Sequence, residues 1–148
     1  EGRKETEHKR VAASNKVGEI ISSLKNEDHD AKIIIMGDFN DGPKSYSVNR
    51  LAEGFELKNP METLKTYKRG SLKHKRQWFI FDQIFFTSNF LSSEKNQLKF
   101  ENADIFDADF LKNQKGKYKG SPFRTYVGKK YKGGYSDHFP VYIQLKTS

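Results

Sequence analysis

Cysteine is absent from this 148-residue chain, which excludes disulfides, thiolate metal sites and cysteine nucleophiles. The absence does not locate the protein, since a cysteine-free chain suits oxidising and reducing compartments alike. No apolar run approaches the ~20 residues needed to span a bilayer, and no long lysine block marks a nucleic-acid-binding tail. Hydrophobic residues are scarce, at 34%. Internal repeats and low-complexity tracts are missing as well. The first residues, Glu1-Gly2-Arg3-Lys4-Glu5, include neither an initiator Met nor an apolar signal segment, so the expectation is the inside of a longer chain.

What is present argues for a folded domain. Twelve Phe, seven Tyr and several short apolar runs oppose disorder despite 31% charged residues. At this length one domain with a real core is expected. The formal net charge of +8 favours a polyanionic partner: nucleic acid, a phosphorylated small molecule or an anionic membrane surface. The same charge is also compatible with a merely soluble basic protein.

Periodicity predicts an amphipathic helix over Thr6 to Lys25, with Val17, Ile20, Ile21 and Leu24 on its apolar face and Val11, Ala12 and Ala13 extending it. Ile33-Ile34-Ile35-Met36 reads as a buried strand, so helix, loop and strand together point to α/β layering. Gly42-Pro43 signals a turn, and Ser45 to Ala52 a short helix. Further strands are expected at Gly54 to Leu57, Thr63 to Tyr67, Gln77 to Thr87, Leu98 to Phe106 and Val141 to Leu145, with a basic turn around Gly70 and His74. Asp107 to Tyr135 is a long, basic, glycine-containing segment, and loops of that length in compact domains are usually functional.

Two phrases carry chemistry: Gly37-Asp38-Phe39-Asn40-Asp41 at the end of the first strand, and Ser136-Asp137-His138-Phe139-Pro140-Val141 at the start of the last. On an extended loop Asp38 and Asn40 point the same way. The carboxylate can take a proton from water or bind a hard cation, while the amide can donate to a phosphoryl oxygen. Asp137 suits magnesium, and His138 can contact phosphate or shuttle a proton near neutral pH. Asp82, inside Trp78-Phe79-Ile80-Phe81-Asp82-Gln83-Ile84-Phe85-Phe86, needs a partner to be buried and could orient an imidazole. Each signal has a plainer reading: a turn or helix cap for Asp38 and Asn40, a turn cap and strand cover for Asp137 and His138, and a salt bridge for Asp82. Trp78 and Phe81 read as core or as stacking groups, His29 and His74 as solvated, and Arg124 and Tyr135 as substrate contacts flanking the site in sequence.

With Ile33 to Asp41, Phe81-Asp82-Gln83-Ile84-Phe85 and Tyr135 to Val141 in this order, the chain resembles the endonuclease/exonuclease/phosphatase superfamily, which includes pancreatic deoxyribonuclease, abasic-site endonucleases, sphingomyelinases and inositol polyphosphate 5-phosphatases. The resemblance implies an α/β four-layer sandwich with two mixed sheets between helical layers, of which residues 1–148 correspond to the C-terminal half of a single domain, one mixed sheet plus helices. It also implies hydrolysis of a phosphate ester with magnesium or manganese. Carried over by motif, Asp38 would orient or deprotonate the attacking water and Asn40 would hold the scissile phosphate. Asp137 would bind the metal, with Asp38 and Asn40 as further candidates; His138 would share phosphate charge in the transition state, and Asp82 would fix its tautomer.

The family's N-terminal half adds an early Asn, a metal-binding Glu and a further His, and nothing here matches them. Glu1, Glu5 and Glu7 lie in a polar segment, His8 stands where the helix begins, and Arg3 to Ala13 resembles the stretch after that missing His. The expectation is half an enzyme, completed by an N-terminal half as a second chain or by self-association, because an apolar strand such as Ile33 to Met36 needs cover on both faces. Charge leans toward a nuclease, with the lysines of Lys112 to Lys132 tracking a nucleic-acid backbone. Similarity of Ser121 to Tyr126 to bacterial members slightly favours an exported or periplasmic location. The alternative function is a catalytically inactive fold used as a binding or interaction module.

Overall fold

The computed structural model describes residues 4–147; the polar start at Glu1 to Arg3 lies outside them. Helix α1 (Glu7–Glu27) has an acid in its first turn and Lys25 in its last, each matching the helix dipole. Its buried residues are Ser14, Gly18 and Ile21, spaced four and three apart on one stripe. The expected apolar face is therefore rotated: Ile20 and Leu24 are exposed. Small residues win because α1 packs closely on helix α2 (Tyr46–Gly54) and on Phe55 just beyond its end. A Cβ on Gly18 would meet the Phe55 ring at 2.8 Å, and Ser14 Oγ donates to the Ser47 carbonyl at 2.7 Å.

Strand β1 (Ile34–Asp38) pairs antiparallel with β4 (Asp82–Phe86), from Ile34 opposite Phe86 to Asp38 opposite Asp82. Strands β2 (Leu72–His74) and β3 (Gln77–Phe79) form a hairpin, β5 (Leu98–Ile105) pairs with β8 (Val141–Thr147), and β6 (Tyr126–Val127) pairs with β7 (Lys130–Tyr131). The architecture is mixed α/β as expected, but the single mixed sheet is not: the described strands form four two-stranded ladders, all antiparallel. Two cores lie on opposite faces of β1–β4. Ile21, Val48, Leu51, Leu57 and Phe85 form the helical one, joined by Ile33 and Ile35. Met61, Ile80, Ile84, Ala103, Ile105 and Phe139 form the other, joined by Ile34, Val141 and Ile143. Both faces of β1 are thus covered in part, yet its far edge carries no strand among the described residues and Met36 is 66% exposed.

Several expected strands are absent for local reasons. Gly54 to Leu57 ends α2 and reverses at Glu56, whose φ is 53°; only Lys58, just beyond, pairs with Phe86. Thr63 to Tyr67 is preceded by a 3-10 turn at Pro60–Thr63, capped where Asn59 Oδ1 accepts from the Met61 amide. The Gln77 to Thr87 run breaks at Ile80-Phe81, where the Gln83 amide donates to the Ile80 carbonyl at 2.8 Å and to the Asp41 carbonyl at 3.1 Å. The basic turn falls at Lys75-Arg76 rather than at Gly70 and His74. The Asp107 to Tyr135 segment holds 3-10 turns and the β6–β7 hairpin. No helix among the described residues is long and apolar enough to cross a membrane.

Candidate active site

Strand register does the first work. Because Asp38 ends β1 directly opposite Asp82, which begins β4, two acids meet at the same end of one ladder. The Phe81 carbonyl accepts from the Phe39 amide at 2.8 Å, extending the ladder into the loop. Asp38 is exposed, and its Oδ1 accepts from the Asn40 amide at 2.8 Å. Asn40 has φ 50°, a left-handed conformation that Asn tolerates better than most residues. The loop is therefore a tight turn, not the extended run on which Asp38 and Asn40 would point the same way.

Asp82 is shared. Its Oδ2 accepts from Ser71 Oγ at 2.5 Å and lies 2.8 Å from His138 Nδ1, with Oδ1 at 3.2 Å from the same nitrogen. The backbone fixes this meeting: Leu72 bridges His138 in antiparallel fashion, and the Phe139 amide donates to the Ser71 carbonyl at 2.6 Å. Ser136 Oγ accepts from the His138 amide at 3.1 Å, and Trp78 stacks on Phe139, with ring centroids 6.0 Å apart. Trp78 and Phe81 are thus packing groups. With Nδ1 engaged by carboxylate, His138 Nε2 is the nitrogen left for a ligand. The Asp82 carboxylate raises the His138 pKa above its ordinary value, more than burial lowers it; the negative charges of Asp38 and Asp137 push the same way. The shift acts in favour of the imidazolium form.

Asp38, Asp82 and His138 offer ligand atoms all within 4.8 Å of one another. Asp82 is already spent on Ser71 and His138, so the carboxylates open to a hard cation are Asp38 and Asp137, both exposed and without an ion pair among the described residues. Exposed carboxylate oxygens suit Mg2+ or Mn2+, but Asp137 is not a member of the 4.8 Å group, so Asp38 is the carboxylate that is both in it and open. Asn40, also exposed, follows Asp38 in the same turn. Arg124 is half-buried and belongs to a neighbouring cleft, while Tyr135 is exposed, edge-on to Phe110 at 5.8 Å. His74 is exposed, and so is His29.

Two groups have no signal in the sequence pattern. Ser71, fully buried, follows a glycine at which a Cβ would run into the Phe79 carbonyl, so Gly70 is what lets Ser71 reach Asp82. Asp41, inside the first phrase, turns inward: its Oδ2 accepts from Arg10 Nε at 2.8 Å and from Ser47 Oγ at 2.8 Å. It clamps the loop to both helices.

The sequence model described as "Endonuclease/Exonuclease/phosphatase family" matches residues 1–147. No curated protein matches the chain. Among solved structures, a mannosyl-6-phosphatase of Bacteroides thetaiotaomicron VPI-5482 superposes with a TM-score of 0.59 at 18% identity, covering 98% of this chain and 47% of that one. A second, an endonuclease/exonuclease/phosphatase family protein from Bacteroides thetaiotaomicron, gives a TM-score of 0.59 at 18% identity, covering 97% and 46%. The likeness is one of fold, and the chain spans about half the length of these structures.

Proposed function

The chain belongs to the endonuclease/exonuclease/phosphatase family, and from that premise we propose that it is a divalent-metal-dependent phosphoesterase acting through Asp38, Asn40, Asp82, Asp137 and His138. The observation that carries this reading is the convergence of Asp38, Asp82 and His138 within 4.8 Å at one ladder end. Such a group is costly to assemble without a task. Asp38, exposed and without an ion pair among the described residues, accepts the proton of the attacking water. The Asn40 amide donates to a phosphoryl oxygen. Imidazolium His138, its Nδ1 held by Asp82, presents Nε2–H to the phosphate and takes up charge as the transition state forms. Asp137 and Asp38 hold the metal, which supplies Lewis-acid polarisation of the phosphoryl group when bound.

The reading includes a complementary segment, separate or from a second copy, that supplies further metal ligands and covers β1. It is supported by coverage of 47% and 46% of the related structures and by the edge of β1, which no strand among the described residues pairs and where Met36 is exposed. Light scattering with mass spectrometry of the purified chain tests it. A companion peptide or a dimer is expected; a stable, active monomer without companion removes this part of the proposal.

Hydrolysis of plasmid DNA and of bis(p-nitrophenyl) phosphate, with magnesium and with chelator, tests the chemistry against an Asp38→Ala control. Metal-dependent turnover lost in the control is expected. Equal turnover in the control removes the mechanism, and no turnover in a verified complete assembly favours an inactive binding module.

A further inference from the structure

Beside the site lies a cleft of about 740 Å³ between the β2–β3 hairpin and the segment from Asn113 to Lys132. Lys73, Lys75, Arg76, Lys117, Arg124 and Lys132 line it, and no carboxylate does. None of the six makes an ion pair among the described residues, whereas Arg69, close in sequence, is paired with both Asp104 and Asp107. Unneutralised like charges facing one concavity repel one another and destabilise the fold slightly. The arrangement is stabilised once an anion enters.

The hairpin adds a second observation. Lys75 and Arg76 are its two turn residues, with φ of 45° and 68°. Positive φ at both positions is the type I′ pattern, for which Asn-Gly is the favoured pair and long side chains are strained. Strain kept at a turn that displays two cations into a cleft points to a role for those cations.

Both walls of the cleft are tied to the catalytic loop. Lys73 adjoins Leu72, which bridges His138, so their Cα atoms lie on the order of 10 Å apart or less. Arg124 and Thr125 are zipped to Gly134 and Tyr135: the Arg124 carbonyl accepts from the Gly134 amide at 3.2 Å, and Thr125 Oγ1 donates to the Gly134 carbonyl at 2.9 Å. A Cβ on Gly134 would run into the Phe123 and Arg124 carbonyls, so this approach needs glycine. The cationic lining is thus tied through the backbone to both sides of the His138 loop.

We infer that the cleft between the Lys75-Arg76 turn and the Asn113–Lys132 segment binds a second phosphate group of the substrate, which is a small molecule bearing at least two phosphates. The inference rests on the phosphoesterase reading. The cleft's bounded volume, of the size of small-molecule sites, and the Pro122, Phe123 and Val127 contribution to its lining suit a compact ligand better than a polynucleotide track.

Calorimetric titration at about 0.15 M salt, where loose surface attraction is screened, tests this with fructose 1,6-bisphosphate, fructose 6-phosphate and a twenty-nucleotide oligothymidylate. The wild-type chain should bind the bisphosphate about tenfold or more tightly than the monophosphate. The Lys75→Asn/Arg76→Gly variant should lower that ratio to about two or less while its unfolding temperature holds or rises, because the turn is relaxed. Arg76→Gln/Lys132→Gln, which leaves the turn backbone as it is, should lower the ratio too. Equal binding of the two sugars, an unchanged ratio in both variants, or tightest binding by the oligonucleotide would overturn the inference. Because the readout is binding, it is separate from turnover. Loss of the Asp38 requirement with the ratio intact sinks the phosphoesterase chemistry but leaves the anion cleft standing.

Discussion

Asp38 and Asp41 stand three residues apart in one loop and have opposite fates. Asp41 has a side chain only 5% exposed, clamped by Arg10 from α1 and by Ser47 from α2. Asp38 faces solvent, with the Asn40 amide donating to it, beside the Asp82–His138 pair. The same functional group is a structural bolt in one place and an open ligand in the other. What separates them is how many partners the fold provides. The inward acid has its charge met by an arginine, and the outward acid keeps its lone pairs for water, metal or phosphate.

The contrast breaks most sharply in activity. Asp38→Asn should lower turnover by about 10²–10⁴-fold, the usual contribution of a positioned proton acceptor. Its urea midpoint should stay where the wild type's is, because no folded-state ion pair is lost. Asp41→Ala should do the reverse in stability: about 3 kcal/mol in urea unfolding, since a nearly buried carboxylate that accepts from both Arg10 and Ser47 is lost. If Asp38→Asn unfolds the chain and Asp41→Ala does not, the assignments are exchanged.

A smaller effect concerns the histidine. Asp82 is the leading cause of the raised His138 pKa, and burial opposes it. Protonation of His138 therefore stabilises the folded chain fully below the unfolded value near 6.5, and this contribution is lost as pH rises through the higher folded value. Asp82→Asn should bring the His138 ring titration, followed by its Cε1 proton resonance, down in pH, and the alkaline limb of activity should move with it. Turnover should fall by about 10- to 100-fold, as for other partners that orient a working imidazole. A titration unmoved by the substitution would mean that Asp82 does not hold the charge.

Legibility followed the same division. The phrases containing Asp38, Asp82, Asp137 and His138 stood out because chemistry-bearing residues ended apolar strands, and the structure brings Asp38, Asp82 and His138 together. Helix α1 and strands β1, β5 and β8 were legible because their periodicity is long or their runs are apolar. Ser71 and Asp41 were not, since hydrogen bonds across 11 and 31 residues leave no local period. The strand expected at Thr63 to Tyr67 yielded to Pro60, which opens a helical turn, and the unbroken Gln77 to Thr87 strand yielded to Gln83, which satisfies the backbone where β3 leaves β4. Small residues hid the buried stripe of α1, because hydropathy ranks Ile20 above Gly18 while packing ranks them the other way.

That inversion gives the smallest and cleanest test. Ile20 is 53% exposed and Ile21 1%, one residue apart on the same helix. Ile20→Ser should change the unfolding free energy by no more than about 0.5 kcal/mol, the range of surface positions. The result discriminates because Ile20 is the residue that hydropathy would bury. A cost above about 1 kcal/mol would mean that the outer face of α1 is covered in solution, by a companion segment or a second copy. In that case the comparison between inward and outward groups has to be redrawn for the assembly, with Ile20, Leu24 and Met36 on the inside.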